Sequence, residues 1–288
     1  MRRRVDELGG TFRLGGDGPV VNRLGFGAMR ITGEGIWGDP PDREAARDVV
    51  RRAVELGVNL IDTADSYGPH VSEEILAEAL HPYPEDLVIA TKGGLVRPGP
   101  GRWERDGRPE HLREACEASL RRLRLDAIEL YQLHAVDPSV PFEESLGALI
   151  QLREEGKIRR IGLSNVGVEE LERGLALTDV ATVQDRYNLT DRSNEDVLEA
   201  CEQRGIGFIP WFPLATGDLA GAGGPLDEVA RNHDATPAQV ALAWLLARAD
   251  VMLPIPGTGS TEHLEENLAA GTLRLDADEV ERIAAATA

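Results

Sequence analysis

The chain has 288 residues, with 50 acidic against 31 basic and a formal net charge of -19. That length holds one α/β barrel of about 250 residues with additions, and so acidic a surface repels nucleic acid and anionic lipid, which excludes both as expected partners. No apolar run approaches membrane-spanning length, and the start, with Val5-Asp6-Glu7 and no apolar run behind it, does not read as a signal peptide.

In chain order, Thr11–Arg23 places Gly15-Gly16-Asp17-Gly18 between two short extended runs. It reads as a hairpin ahead of the first barrel strand, positioned to plug the barrel's N-terminal end. Strand patterns follow at Leu24–Met29, Asn59–Ala64, Leu87–Lys92, Ala127–His134, Ile158–Ser164, Thr182–Tyr187, Gly207–Phe212 and Val251–Pro256. Helical patterns lie between them at 44–56, 71–80, 110–124, 143–155, 167–176, 193–204, 236–247 and 276–286, with a shorter one at 261–268. Strict alternation implies parallel strands with helical crossovers. Eight units favour a (β/α)8 TIM barrel, one domain over residues 1–288, against the alternative of a doubly wound open sheet. No GxGxxG follows the first strand, which counts against the open sheet. Long glycine-rich loops at 30–43, 93–109 and 214–226 each follow a strand, on the face where barrels carry their active sites. Cys116 and Cys201 sit singly in helical patterns with no CxxC pair, as in a reducing cytoplasm.

Three consecutive strands end in chemistry. Asp62 closes the second, with Tyr67 in the loop beyond it; Lys92 closes the third and His134 the fourth. Strands adjacent in sequence are adjacent in a barrel, so the four side chains can converge at its mouth. The set suits carbonyl reduction, in which a hydride arriving at carbon leaves an alkoxide that needs a proton. Tyr67 can donate it, Lys92 is expected to lower the phenol's pKa, Asp62 can hold Lys92, and His134 can orient the carbonyl oxygen. Each residue has a plainer reading: a strand-end Asp caps helices, a loop tyrosine packs, a rim histidine is a satisfied polar group. Met29, Trp37 and Trp103, in the long loops, either line a pocket or pack their own loops. The histidines form no HxH or HExxH pattern, so a metal-dependent hydrolase on the same barrel is disfavoured and no metal ligand is assigned.

The segments Gly57–Gly68, Ala90-Thr91-Lys92, Leu133-His134 and Gly156–Asn165 together resemble the signatures of the aldo-keto reductase family, from about residue 12 to the C-terminus. The resemblance implies that Asp62, Tyr67, Lys92 and His134 are a catalytic tetrad. It implies a nicotinamide cofactor whose carboxamide is held by Ser164, Asn165 and Gln184 and whose ring stacks on Trp211. Pro213, Leu214 and Gly217 match the loop that wraps the pyrophosphate. Gly257, Thr258, Gly259 and His263 match the loop and helix start that bind phosphate, and Glu266 and Asn267 match adenine contacts. Gly257 and His263 stand where relatives often carry the lysine and arginine that bind the 2′-phosphate. The family resemblance makes NADP the expected cofactor, the loss of those two cations makes NAD the alternative, and adding the cations at 257 and 263 is expected to favour NADP. The expected partner is a small carbonyl or alcohol. A cofactor-binding regulatory barrel with little turnover is the other reading of the same resemblance, and the complete tetrad argues against it.

Overall fold

The computed structural model describes residues 8–214 and 226–287. Strands β1 (Thr11–Arg13) and β2 (Val20–Asn22) pair antiparallel as the expected hairpin. Seven parallel strands follow: β3 (Phe26–Gly27), β4 (Leu60–Asp62), β5 (Val88–Gly93), β8 (Ile128–Leu133), β9 (Ile158–Ser164), β10 (Thr182–Arg186) and β11 (Gly207–Trp211). They lie side by side in the order β11-β10-β9-β8-β5-β4-β3. Helices α1 (Arg43–Glu55), α2 (Val71–Leu80), α3 (Pro109–Leu123), α4 (Phe142–Glu154), α5 (Val168–Leu175) and α6 (Glu195–Arg204) are the crossovers. After β11 come α7 (Asp227–Asn232) and α8 (Pro237–Arg248), then α9 (Thr261–Ala269) and α10 (Ala277–Ala286).

The expected eighth strand is an irregular segment, and it still closes the barrel. Phe208 N–H donates to Val251 O at 2.8 Å and Leu253 N–H to Phe208 O at 2.7 Å. On the other flank, Gly25 N–H donates to Pro254 O at 2.9 Å. The segment reads Leu253-Pro254-Ile255-Pro256, and its two prolines have no N–H to give to a ladder. It therefore accepts across one edge without forming regular strand pairing.

A second departure lies in the region 93–109, read from sequence as a loop. It folds into an antiparallel hairpin, β6 (Leu95–Gly99) and β7 (Arg102–Arg105), which stands apart from the barrel sheet.

Period-two alternation decides what faces the barrel axis. Leu60, Val88, Ala90, Leu130, Ile209, Leu253 and Ile255 form one inner cluster, and the hairpin's Leu14 and Val21 join it with no exposed surface. This is the expected plug. Two residues further along the same inward ladders the side chains turn polar: Asp62 after Leu60, Lys92 after Ala90, Gln132 after Leu130, Trp211 after Ile209. The bottom of the barrel is thus hydrophobic, and the mouth carries the ionisable groups. The alternate residues, such as Ile61, Ile89, Tyr131 and Val183, belong to the larger cluster between strands and helices.

Candidate active site

Lys92 is fully buried, and its ammonium is the hub of the site. Nζ donates to Asp62 Oδ1 at 2.6 Å, to Thr63 O at 2.8 Å and to Tyr67 Oη at 3.3 Å. Asp62 Oδ2 accepts from Gln132 Nε2 at 3.0 Å and Gln184 Nε2 at 2.9 Å. Each charged oxygen at this depth therefore has a donor, as a buried ion pair requires if its desolvation is to be offset. Gln132 makes room for this by lying against Gly162, where a Cβ would come within 2.7 Å of Gln132 Cγ. Burial opposes the Lys92 charge, but Asp62 and Tyr67 prevail and hold its pKa above the ordinary lysine value.

The expected lowering of the Tyr67 pKa is not the net result. Burial pushes the phenol above its ordinary 10.0, and the pull of Lys92 only partly offsets this. Tyr67 is 8% exposed, with little water to hydrate a phenolate. His134 lies edge-on to Tyr67, with ring centroids 5.9 Å apart. Burial and then Lys92 drive its pKa well below the ordinary 6.5, so the ring is neutral. Its Nδ1 is 3.4 Å from Ser66 Oγ.

Two connected spaces open from this tetrad. One chamber is lined by Tyr67 and His134 together with Met29, Ile36, Trp103 and Phe212, and it reaches Ser164 and Asn165. The other is a groove running from Asp62 and Tyr67 past Trp211, Pro213 and Leu214 to Gly27 and Gly257. Gln184 and Trp211 line both. Asn165 sits in the left-handed region at φ 56°, which asparagine tolerates. Its Nδ2 donates to His134 O at 2.9 Å and Ser164 Oγ at 3.0 Å.

An elongated polar cofactor fits the groove on one observation: Trp211 Nε1, on its wall, is buried with no hydrogen-bond partner among the described residues. A Cβ on Gly27 would lie 2.6 Å from Ile255 O, and one on Gly257 would lie 2.5 Å from Gly27 O. Backbone thus packs directly against backbone at the groove's far end, where β3 meets the closing segment. The same contact leaves no space for a lysine at 257, so the expected effect of adding a cation at that position does not survive the packing.

Thr258, Gly259, His263, Glu266 and Asn267 lie beyond the groove-lining residues, in the following loop and in α9. The hydroxyls of Thr258 and Ser260 already accept from the N–H groups of Ser260 and His263. Gly217 lies outside the described residues. Among the described residues, no group of three or more His, Cys, Asp or Glu is placed to hold a metal ion, and no helix is long and apolar enough to cross a membrane.

The sequence reading passed over Gln132, Ser66, Arg30 and Asp185. Gln132 was legible by parity, since it precedes His134 by two on one ladder and pairs in register with Lys92. Arg30 lines the groove beside Gly257. Asp185 faces outward beside Gln184, where its Oδ1 accepts the Val166 N–H at 3.2 Å and its Oδ2 has no partner among the described residues. Burial pushes its carboxyl from 3.8 up to about 7. In that window the folded state holds a proton that the unfolded chain has lost, so stability falls as pH rises through it. Asp185→Asn is expected to gain stability relative to the parent as pH rises from about 4 to about 8, read by urea unfolding. A difference that stays constant with pH would show that the carboxyl ionises freely in the fold.

Comparison with known proteins gives the family. An uncharacterized oxidoreductase of Schizosaccharomyces pombe is 50% identical over 269 residues, covering 93% of this chain and 87% of its own length. The pyridoxine 4-dehydrogenase of Escherichia coli is 42% identical, covering 92% of this chain and 94% of its own. The crystal structure of an aldo/keto reductase from Klebsiella pneumoniae in complex with NADP and acetate superposes with a TM-score of 0.81 at 29% identity, covering 95% of this chain and 93% of that one. The family model described as the aldo/keto reductase family matches residues 23–288. A match of that extent, on a parallel barrel whose mouth gathers these polar side chains, means that the chain belongs to the aldo/keto reductase family and is an oxidoreductase.

Proposed function

We propose that this enzyme reversibly interconverts a small aldehyde or ketone and its alcohol, with Tyr67 giving the proton in reduction and taking it in oxidation. The observation that carries this reading is the Asp62–Lys92–Tyr67 chain of hydrogen bonds, buried and ending where the two spaces meet. When bound, a reduced nicotinamide supplies the hydride to the carbonyl carbon. Tyr67 Oη–H donates its proton to the carbonyl oxygen as negative charge develops there. The Lys92 ammonium then stabilises the phenolate by the hydrogen bond it already makes, and Asp62 keeps Lys92 charged and aimed. With Ser66 Oγ–H donating to Nδ1 of His134, Nε2 carries the ring proton and donates to the same carbonyl oxygen, fixing its orientation. A neutral histidine does this without competing as a proton source.

Ser164, Asn165 and Gln184 are proposed to hold the carboxamide and Trp211 to stack on the ring. Pro213, Leu214 and Gly217 would flank the pyrophosphate, with Gly257, Thr258, Gly259 and His263 at its phosphate end and Glu266 and Asn267 near adenine. NADP is the proposed cofactor. The Klebsiella relative was crystallised with it, and the basic side chain of Arg30 lines the groove beside Gly257. NAD remains the alternative reading, because Gly257 and His263 replace two cations. A reducing cytoplasm suits the two buried free thiols, Cys116 and Cys201.

Titration of NADPH and NADH, followed by tryptophan quenching and calorimetry, tests the reading. Saturable binding of both is expected, tighter for NADPH. His263→Arg is expected to widen that preference by about tenfold, the size of one charge-assisted phosphate contact. No binding of either would remove the oxidoreductase site as described. An unchanged preference would show that the 2′-phosphate is read away from α9.

A further inference from the structure

Arg97 carries charge that the tetrad does not use. It lies on β6 and is 8% exposed, and it has no carboxylate partner among the described residues. Its guanidinium instead donates to four backbone carbonyls. Nε reaches Arg102 O at 2.9 Å, Nη1 reaches Ile36 O at 2.9 Å and Ser66 O at 3.4 Å, and Nη2 reaches Gly35 O at 3.2 Å. The same group lies 3.8 Å from the centre of the Trp103 ring and 5.5 Å from that of Trp37. One side chain therefore ties together the β6–β7 hairpin, the loop after β3 and the turn that carries Tyr67.

What it ties down is the wall of the chamber. Trp103 on β7 meets Tyr67 edge-on at 6.5 Å, and Ile36 lines the same space. Ile36 is held at φ 59°, a left-handed conformation that a β-branched residue resists. Such a conformation persists only where the surroundings over-determine it. Arg97 bonds to the carbonyls of Gly35 and Ile36 at that turn, so it supplies part of the constraint.

Among the described residues the chamber's lining carries no Asp, Glu, Lys or Arg, and His134 within it is neutral. Lys92 is committed to Asp62, and the Arg97 charge is taken up by carbonyl dipoles and ring faces. A carboxylate or phosphate entering the chamber would lose its water without meeting a free cation. A flat, neutral ring would instead meet Trp103, Tyr67 and Phe212.

We propose that Arg97 is a positioning residue that sets the Trp103–Ile36 wall, and that this wall selects uncharged carbonyl substrates bearing a planar ring. The inference rests on the proposed hydride-transfer reading of the Tyr67 site. Steady-state reduction of benzaldehyde, 4-carboxybenzaldehyde and propanal with saturating NADPH tests it in the parent enzyme and in Arg97→Met, Arg97→Lys and Trp103→Ala.

In the parent, KM is expected to be lowest for benzaldehyde. Arg97→Met is expected to raise that KM by about tenfold while kcat falls by less than about threefold, the signature of lost uniform binding. The change for propanal is expected to be smaller, and the dissociation constant for NADPH is expected to stay in place. Arg97→Lys restores only part of the loss, since an ammonium cannot reproduce the planar fork. Trp103→Ala, which leaves the backbone bonds of Arg97 intact, is expected to reproduce the KM rise even if Arg97→Met folds poorly.

Equal losses on all three aldehydes, or an unmoved KM in the Arg97 and Trp103 variants, would overturn the positioning role. A lower KM for the carboxylated aldehyde would overturn the preference for neutral rings. A parent enzyme that binds NADPH but reduces none of the three would overturn the underlying reading. An active parent with unmoved variants would overturn this inference alone.

Discussion

Tyr67→Phe is expected to lower kcat for carbonyl reduction by about two to four orders of magnitude, the usual worth of a general acid. The dissociation constant for NADPH should stay within about twofold, because the substitution removes one oxygen and leaves the ring that packs against Trp103 and His134. The pH profile sharpens the test. Burial holds the phenol above 10.0 against the pull of Lys92, so the acid form is present throughout the neutral range. Reduction by the parent should run on a plateau there and decline only in strong alkali, where the proton is lost. Oxidation needs the phenolate and should rise with pH. Stopped-flow measurement of cofactor oxidation reads both. Parent-like turnover in Tyr67→Phe would remove Tyr67 as proton donor, and a plateau ending near neutrality would mean that Lys92 outweighs burial after all.

Lys92→Met carries the second large effect, on stability as well as turnover. Lys92 and Asp62 are 0% and 2% exposed, and among the described residues the ammonium is the only charged donor to Asp62. Methionine fills most of the lysine's volume but strands the carboxylate. Breaking one side of a buried pair in this way costs about 3–5 kcal/mol. The amides of Gln132 and Gln184 remain on Oδ2, so the loss should fall toward the lower end of that range. Urea unfolding measures it. In the double variant Lys92→Met with Asp62→Leu both charges are gone, and much of the lost stability should return while turnover does not. Recovery of neither would point to packing as the cause. Unchanged stability in the single variant would mean that the Asp62–Lys92 pair adds no net stability.

Much of the architecture was legible because hydrophobic periodicity is a local property. Seven of the eight strand runs and their crossover helices follow from patterns of two and of about 3.6 residues. The tetrad was legible for a related reason: in a parallel barrel every strand ends on the same face, so a lone polar residue at a strand's end has a known destination. Asp62, Lys92 and His134 were found in that way.

The departures have equally specific causes. Val251–Pro256 has the composition of a strand but lacks the N–H groups at 254 and 256, so on the flank facing β3 it can only accept, and a regular ladder does not form. Residues 93–109 looked like loop because their glycines and prolines mask a hairpin held by cross-strand bonds. Gln132 had the parity of His134 on its ladder, but that a glutamine fits there rests on Gly162, on the next strand, which clears the space for it.

The sequence by itself determined the alternating parallel fold, the family and the identity of the groups at the barrel mouth, since these depend on period, strand polarity and motif. Only the tertiary structure decided how those groups are tuned and what surrounds them. The net direction of the Tyr67 pKa, the neutrality of His134, the lack of room at Gly257 and the clamp at Arg97 all depend on which distant segments exclude water from a given atom. Burial and close approach between remote residues set those energies, and neither is written in the order of residues along the chain.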